Sequence, residues 1–347
     1  MKRFVHVLFL WFTITALGVA QSDLQPAAIV RLTKSEPITV KQYRTEVERM
    51  EKQAGRTLSA EERRQVLDVM INEKLALQAA ERDKVSVNDN EINQQLQEIR
   101  SALAQNTGRQ PTEAEFALAL RNETGLEMPA FRDQLRRQMI TQKYLMSKKQ
   151  SLFTAVKIPS DADILNTYTL YKTQFVRPET VRFSMIQVPF GADTAAKAKA
   201  RELADRLIRE IGSNPSKFDE AVVRGQVPNS GYQAGDGGYL PRNPEALRVV
   251  GQDFLNTAFS LKQGEVSKLL EGARGYQIIK ITETYTQKAL ELDDVFQLGT
   301  NMTVKAYIGN MMLQERQQAV IEQATQELVS ELRTGNPFQV FENNLKW

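Results

Sequence analysis

The chain has no cysteine, and its only histidine is His6, near the start of its 347 residues. Without cysteine no disulfide can form, so the stability of the fold must come from buried apolar side chains. Once His6 is removed, catalysis by serine–histidine or cysteine–histidine pairs is excluded, as are zinc sites of histidine and cysteine. Chemistry that uses carboxylates alone stays open, and we predict no metal site and no cofactor.

A marked excess of charge is also missing. The 45 basic and 42 acidic residues give a formal net charge of +3, and two of the basic residues are Lys2 and Arg3. A chain so close to neutrality gives no electrostatic reason to expect binding to a polyanion. We therefore predict no nucleic-acid partner.

The first twenty residues differ from the rest of the chain. Lys2 and Arg3 precede an apolar run from Phe4 to Leu17, and small residues follow as far as Ala20. This order is typical of a secretory signal peptide and predicts export across the inner membrane, with cleavage after Ala20. The alternative is an uncleaved anchor that tethers a structural subunit, although the run is short for a membrane span. Membrane contact is expected only in that case.

Helix-start signals predict a helical region that extends to about residue 176. Residues 28–40 read first as two extended pieces joined by a turn. Apolar residues at steps of three and four then mark one face of successive helices. Four helix starts have the spacing of a capping box, in which a short polar residue precedes an acidic residue by three positions. These pairs are Ser59–Glu62, Asn88–Glu91, Thr112–Glu115 and Ser160–Asp163.

Residues 177–285 have the pattern of a small α/β domain. Residues 181–189 and 276–282 read as strands with alternating faces, and helical and glycine-rich segments lie between them. A last helix is predicted over about residues 302–333. Because one amphipathic helix cannot bury its own apolar face, we expect this helix to pack on the N-terminal helices.

The predicted fold class is therefore α+β, a discontinuous all-helical domain with an inserted α/β domain. The predicted boundaries are 1–20 for the signal peptide, 21–176 for the N-terminal helical domain, 177–285 for the α/β domain and 286–347 for the C-terminal helix.

Five segments of the α/β domain, taken in order, resemble the parvulin-type (PpiC-like) peptidyl-prolyl isomerases. They are VRFSMIQV, FDEAV, GDGGYL, FLNTAFSLKQGEVS and GYQIIKI. Residues 63–92 and 131–145 resemble the N-terminal domain of SurA-like periplasmic chaperones, and the last helix stands where that family completes this domain. With the signal peptide, the resemblance covers essentially the whole chain. It implies a periplasmic chaperone for unfolded exported polypeptides, of which outer-membrane proteins are the usual class.

The resemblance also locates the site residues and a departure from the family. Met185 and Gln277 stand where the family has its two histidines. A thioether is only a weak acceptor and an amide does not titrate, so we predict weak or absent isomerase activity and no catalytic residue. The alternative is an active isomerase with an altered site. The resemblance implies five substrate-binding residues: Phe254, Val250, Tyr239, Met185 and Gln277. Phe254 and Val250 match the family's proline-binding positions, and Tyr239 follows the glycines; Phe254 could equally be a core residue.

Client binding needs apolar surface that accepts many sequences, and flexible methionine side chains suit this task. Met128, Met311 and Met312 are our candidates for a client groove, whereas Met70 and Met139 have the spacing of core residues. The GDGG segment has neither the lysine nor the strand–loop–helix context of a phosphate loop. We therefore expect ATP-independent binding of unfolded polypeptides and no small-molecule cofactor.

Overall fold

The computed structural model describes residues 23–227 and 229–346, and for residues 106 and 107 the backbone alone. The predicted signal peptide and its cleavage after Ala20 lie outside the described residues. Two units divide the chain. The first holds the described residues up to Val156 and those from Arg316 onward, and the second holds Lys157–Glu315.

Helices make up most of the regular structure in both units. In chain order, the helices are α1 (Val40–Ala54), α2 (Ala60–Arg82), α3 (Asp89–Thr107), α4 (Glu113–Thr124), α5 (Met128–Lys148), α6 (Gln150–Thr154), α7 (Asp161–Tyr171), α8 (Thr194–Ile211), α9 (Pro215–Gly225), α10 (Pro244–Val250), α11 (Gln252–Ser260) and α12 (Val304–Arg333). The strands are β1 (Pro26–Val30), β2 (Glu36–Thr39), β3 (Val176–Arg177), β4 (Thr180–Pro189), β5 (Gln233–Pro241), β6 (Leu270–Glu271), β7 (Gly275–Tyr285), β8 (Lys288–Ala289) and β9 (Phe338–Val340).

The four predicted capping boxes are all present at the starts of α2, α3, α4 and α7. The turns that precede α2 and α4 share one pattern. Gly55 and Gly108 each end a helix in the left-handed conformation, with φ of 66° and 74°. The arginine that follows each glycine forms an ion pair with the capping glutamate, at 2.5 Å for Arg56 and Glu62. The same distance separates the corresponding pair before α4.

The core of the first unit joins the early helices to the second half of α12. Leu67, Ile71 and Leu75 of α2 are fully buried and share this core with Leu328 and Leu332 of α12. Strand β1 lies between β2 and β9 in one antiparallel sheet. The predicted return of the last helix to the N-terminal helices is confirmed, and so is the discontinuous α+β fold.

The second unit contains an antiparallel sheet of order β5-β4-β7-β6. Helices α8 and α9 pack on one face of this sheet, and α10 and α11 pack on the other. A further core forms between α7, the segment around β8 and the first half of α12. Among residues 23–227 and 229–346, no helix combines the length and the apolar character needed to cross a membrane.

The two units divide at other positions than the predicted boundaries. Helix α7 and the first half of α12 belong to the second unit, whereas the prediction assigned both to the helical domain. Ile164 and Tyr168 of α7 pack in the same core as Val304 of α12, and the Tyr168 hydroxyl donates to the Leu290 carbonyl at 3.0 Å. Contacts between residues this far apart in sequence leave no local pattern, so the sequence did not show them.

Candidate functional site

Alternation along β4 assigns its side chains to two faces of the sheet. Ile186 and Val188 pack under α8 and α9. Val181, Phe183 and Met185 point the other way, toward α10 and α11. Because alternate residues of a strand share a face, Gln187 lies on the same face as Met185. This second face carries the residues that the sequence singles out.

Phe254 lies in α11, on the face toward which Met185 points. Its side chain is 6% exposed, and its ring meets the Phe183 ring edge-on at a centroid distance of 5.4 Å. Val250, at the end of α10, is half-buried and packs against the same core. Phe254 is thus a core residue by its packing, and its part in substrate binding stays a prediction.

The two positions of the family histidines also lie on this face. Met185 pairs across the sheet with Ile279 of β7, and Gln277 pairs with Gln187 of β4. Both Met185 and Gln277 are half-buried. The structure therefore brings together four of the five predicted substrate-binding residues: Met185, Gln277, Phe254 and Val250. Neither Met185 nor Gln277 supplies a group that titrates near neutral pH.

Tyr239 is the exception, because it lies on the opposite face of the sheet. It pairs directly with Arg182, whose guanidinium lies 5.2 Å from the centre of the Tyr239 ring. Its ring also lies 6.1 Å from that of Tyr285. Tyr239 therefore does not lie on the face of Phe254, and its predicted part in substrate binding stays a prediction. An extra residue in β5, Gly237, lies opposite Phe183 and Ser184 and shifts the alternation, as a glycine within a strand can.

A charged cluster surrounds Tyr239 on that opposite face. Arg182 donates to Asp236 at 2.7 Å and to Glu283 at 2.8 Å, and the Tyr285 hydroxyl donates to Glu283. The Tyr285 hydroxyl and then Arg182 lower the pKa of Glu283, and Arg182 lowers the pKa of Asp236. The bond to Glu283 raises the pKa of Tyr285 to about 12. Arg182, Asp236, Glu283 and Tyr285 therefore each have a hydrogen-bond partner within the cluster, as in a network that stabilises a fold.

The three methionines proposed for a client groove fall in different units. Met128 begins α5 in the first unit and packs partly against the core of Phe116 and Leu135. Met312 lies in the second unit, where its sulfur accepts from the Thr167 hydroxyl at 3.5 Å. Met311 is half-buried beside it in α12. Their role in client binding stays a prediction.

Two surface depressions occur away from the face of Phe254. One, of ≈ 590 Å³, lies in the second unit between α8, α9 and the loop before β5. The other, of ≈ 490 Å³, lies in the first unit and includes Leu77 and Ile140. Within residues 23–227 and 229–346, no group of three or more acidic side chains is placed to hold a metal ion.

Gln187 is not among the predicted site residues. This residue lies opposite Gln277, and it could have been found because it stands two positions after Met185 in a strand. Among the residues that the structure describes, none forms a hydrogen bond with the side-chain amide of Gln187 or Gln277. The site therefore presents two neighbouring neutral amides beside an apolar surface.

Comparisons with known proteins agree with this architecture. Residues 1–145 match the model of the SurA-like N-terminal domain, and residues 159–296 match the model of the PPIC-type PPIase domain. A foldase protein PrsA of Clostridium botulinum is 25% identical over 313 residues, which cover 88% of this chain and 80% of the relative.

Two further proteins are similar to this chain. A chaperone SurA of Alcanivorax borkumensis is 31% identical over 226 residues, which cover 64% of this chain and 47% of the relative. A solved structure of a SurA-like chaperone from Campylobacter jejuni aligns at a TM-score of 0.40 with 15% identity, over 91% of this chain and 100% of that chain. With both family models matched in order along the sequence, the chain joins a SurA-like N-terminal domain to a PPIC-type PPIase domain.

Proposed function

We propose that this protein is an exported, ATP-independent chaperone that binds unfolded polypeptides, and that its isomerase domain is weak or inactive in catalysis. The observation that carries the proposal is the pair Met185 and Gln277, which by the resemblance stands at the histidine positions and which lies on one face of the sheet. A domain that keeps its binding face but not its polar catalytic groups is suited to holding a peptide rather than isomerising it.

The chemistry of proline isomerisation explains why the two replacements matter. The barrier is about 18–20 kcal/mol because amide resonance is lost as the bond twists. An enzyme lowers it only by binding the twisted amide more tightly than the planar one. This needs polar groups aimed at the reacting amide. The thioether of Met185 offers almost nothing of this kind, and Gln277 offers a neutral amide.

Chaperone activity requires apolar surface that adapts to many sequences. In the first unit, Val69 of α2, Leu118 of α4 and Met146 of α5 are 64%, 58% and 50% exposed. Burial of such surface against an apolar client segment is favourable without any nucleotide. We propose that these side chains, with Met128 in the first unit and Met311 and Met312 in the second, contact clients, and that outer-membrane proteins are among them.

The chaperone activity is tested by light scattering of a chemically denatured client diluted into buffer with the purified protein. We expect aggregation to be suppressed at a stoichiometric ratio without ATP. If aggregation proceeds unchanged and cross-linking yields no complex with the client, the proposal is wrong.

The alternative is an active isomerase, which the common face of Phe254, Val250 and Gln277 would favour. A protease-coupled or NMR exchange assay on X-Pro peptides decides between the two. We expect rates close to the uncatalysed rate, and a gain in rate when Met185→His and Gln277→His are introduced together. A substantial rate in the unchanged protein, lost in Phe254→Ala, would instead establish the isomerase.

A periplasmic location is part of the proposal, and the basic and apolar start of the chain supports it. Mass spectrometry of the protein recovered from the bacterial envelope gives the mature amino terminus. We expect the chain to begin at Gln21. Recovery of the intact chain from the inner membrane would show the uncleaved anchor instead.

A further inference from the structure

Three glutamines form a row across the sheet of the second unit. Gln187 of β4 pairs with Gln233 of β5 on one side and with Gln277 of β7 on the other. Directly paired residues of antiparallel strands point to the same face. All three amides therefore leave the sheet on the face of Met185 and Phe254.

The side-chain amides of this row form no hydrogen bond with any residue that the structure describes. A primary amide carries two donors and one acceptor oxygen with two lone pairs. Across residues 23–227 and 229–346, no side chain or main-chain group forms a hydrogen bond with the side-chain amides of Gln187, Gln233 or Gln277. Gln187 and Gln277 are nevertheless half-buried, whereas Gln233 is exposed. The inner two amides are thus confined at the surface and open to a polar group from outside the chain.

An apolar surface adjoins the inner two amides. Along this face of β4 burial decreases from Val181, which is 3% exposed, through Phe183 at 6%, to the half-buried Met185 and Gln187. The core under α10 and α11 therefore ends beside the amides, and its edge is accessible. On the other side, the Gln277 side chain lies close to Gly272, where a Cβ would be 3.0 Å from its Oε1.

We propose that Gln187 and Gln277 bind the main chain of an extended client segment whose side chain packs on Met185 and Val250. This inference rests on the proposed chaperone function. A primary amide presents a donor and an acceptor side by side, and one residue of an extended chain presents an acceptor and a donor along the same edge. Neighbouring strands lie about 4.8 Å apart, so both amides can reach one peptide segment.

Recognition through a main-chain N–H has a consequence for sequence preference. Proline has no N–H and fixes its φ angle, so a proline at the bound position removes one hydrogen bond. The site should therefore prefer segments without proline at that position, which is the reverse of what an isomerase requires. Because both amides are neutral, any apolar segment with a free edge is a suitable ligand.

The test uses the full chain labelled with ¹⁵N and a short blocked peptide of leucine, serine and alanine. Two variants of the peptide carry an N-methyl group or a proline at the central position. We expect the side-chain amide signals of Gln187 and Gln277 to shift with the first peptide. The two modified peptides should bind about tenfold more weakly, the effect of one or two lost hydrogen bonds.

Variants of the protein provide the matched control. Gln187→Met combined with Gln277→Met keeps the size of both side chains and removes their polar groups, and it should lower affinity for the first peptide about tenfold or more. Gln174→Met changes an exposed glutamine of the same unit and should leave affinity unchanged. If the double variant does not fold, the peptide series on the unchanged protein decides alone.

The inference is overturned if the amide signals of Gln187 and Gln277 stay in place at saturating peptide. It is also overturned if the proline or N-methyl peptide binds as tightly as the first, or if the folded double variant keeps full affinity. Aggregation suppression measured on the same samples separates the two proposals. A protein that protects the client but fails these peptide tests loses this inference alone, and one that does not protect the client loses the proposed function.

Discussion

Gln78 of α2 is almost fully buried, with 1% of its surface exposed, and its amide binds the turn between β1 and β2. Its Oε1 accepts from the backbone N–H groups of Leu32 and Thr33, both at 3.0 Å, and its Nε2 donates to the Lys34 carbonyl at 3.0 Å. One side chain therefore satisfies three backbone groups that have no partner in the short strands.

Replacing Gln78 by methionine should destabilise the first unit by at least about 2 kcal/mol, because two part-buried donors lose their acceptor. Urea denaturation followed by circular dichroism gives this free energy of unfolding. Gln53→Met, at an exposed position of α1, serves as control and should change stability by less than about 0.5 kcal/mol. Equal midpoints for the two variants would show that the turn does not depend on Gln78.

Gly275 begins β7 at a point where two strands approach closely. A Cβ there would lie 2.3 Å from the Val188 carbonyl oxygen and 2.9 Å from the Pro189 Cα, so backbone would have to move. Gly275→Ala should destabilise the second unit by about 1–3 kcal/mol. Gly235→Ala in β5 is the matched change, since a Cβ there meets nothing within 4 Å. Thermal unfolding of both variants checks this, and a loss of stability at Gly235 equal to that at Gly275 would contradict it.

The sequence predicted individual residues unevenly. Met185, Val250, Phe254 and Gln277, which the resemblance to the parvulin family located, lie on one face of the sheet. Tyr239 does not join them, because a bulge in β5 shifts the alternation by one residue. A single extra residue reverses every side chain beyond it; here it is Gly237, next to Gly238 with φ of 79°, and glycine in a strand marks a possible bulge without fixing its register.

Helices α2 and α4 of the first unit begin with the same arrangement of residues. In α2 and α4, a left-handed glycine ends the preceding helix, an arginine follows, and the capping glutamate of the next helix binds that arginine. The hydrogen bond from Arg56, together with those from Ser59, lowers the pKa of Glu62 from 4.5 to about 2. Arg109 and Thr112 lower the pKa of Glu115 in the same way, also to about 2.

These lowered pKa values predict how the stability of the first unit depends on pH. A carboxyl whose pKa is lower in the folded state stabilises that state above its ordinary pKa, and the contribution is lost as pH falls through the folded value. The melting temperature should therefore decrease as pH falls from 4.5 toward 2, the ordinary and the folded pKa of Glu62. Glu62→Gln combined with Glu115→Gln should flatten this decrease in a calorimetric pH series.

Glu61→Gln is the control, because the neighbouring Glu61 is exposed and takes no part in the capping box. It should keep the pH dependence of the unchanged protein. A double variant whose melting temperature falls as steeply as that of the unchanged protein would show that the capping pairs do not contribute.

Elements with local signals were well predicted. The four capping boxes, the strand at residues 181–189 and the last helix all appear close to their predicted positions. Strand β9 was not predicted, because its three residues have too short a pattern and are stabilised only by pairing with β1. The nine-residue β5 lies in the segment that the sequence marks only as glycine-rich, since glycines weaken any strand signal.

At the scale of the whole molecule, the first unit is completed from both ends of the described chain. Leu328 of α12 is 6% exposed in the core of α2 and β1. Arg333 donates to Asp68 and to Asn72, both at 2.7 Å. These contacts join residues more than two hundred positions apart.

Leu328→Ala should therefore destabilise the first unit by about 2–5 kcal/mol and leave the second unit unaffected. Hydrogen exchange followed by mass spectrometry should show faster exchange in α2 and β1 and unchanged exchange in β4 and β7. Ile321→Ala, at a position 42% exposed, is the control and should change neither. Faster exchange in both units with Leu328→Ala would show that they unfold together.

The α+β architecture was predicted from the sequence, but the positions at which the chain divides into two units were not. A lone amphipathic helix at the end of the sequence requires a partner, and this requirement predicted the discontinuous domain. The position at which α12 passes from one unit to the other depends on packing between α7, Leu290 and Val304. Such packing is fixed by shape in three dimensions and not by spacing along the chain.

The position of β1 between β2 and β9 sets an order of events during translation. The ribosome must add roughly 300 residues after β1 before its second neighbour exists, which takes roughly 15–60 s at about 5–20 residues per second. The inserted unit is contiguous and can fold earlier, while the helices made first remain without part of their core. Until α12 and β9 exist, the described residues of the first unit that share a core with them expose apolar surface.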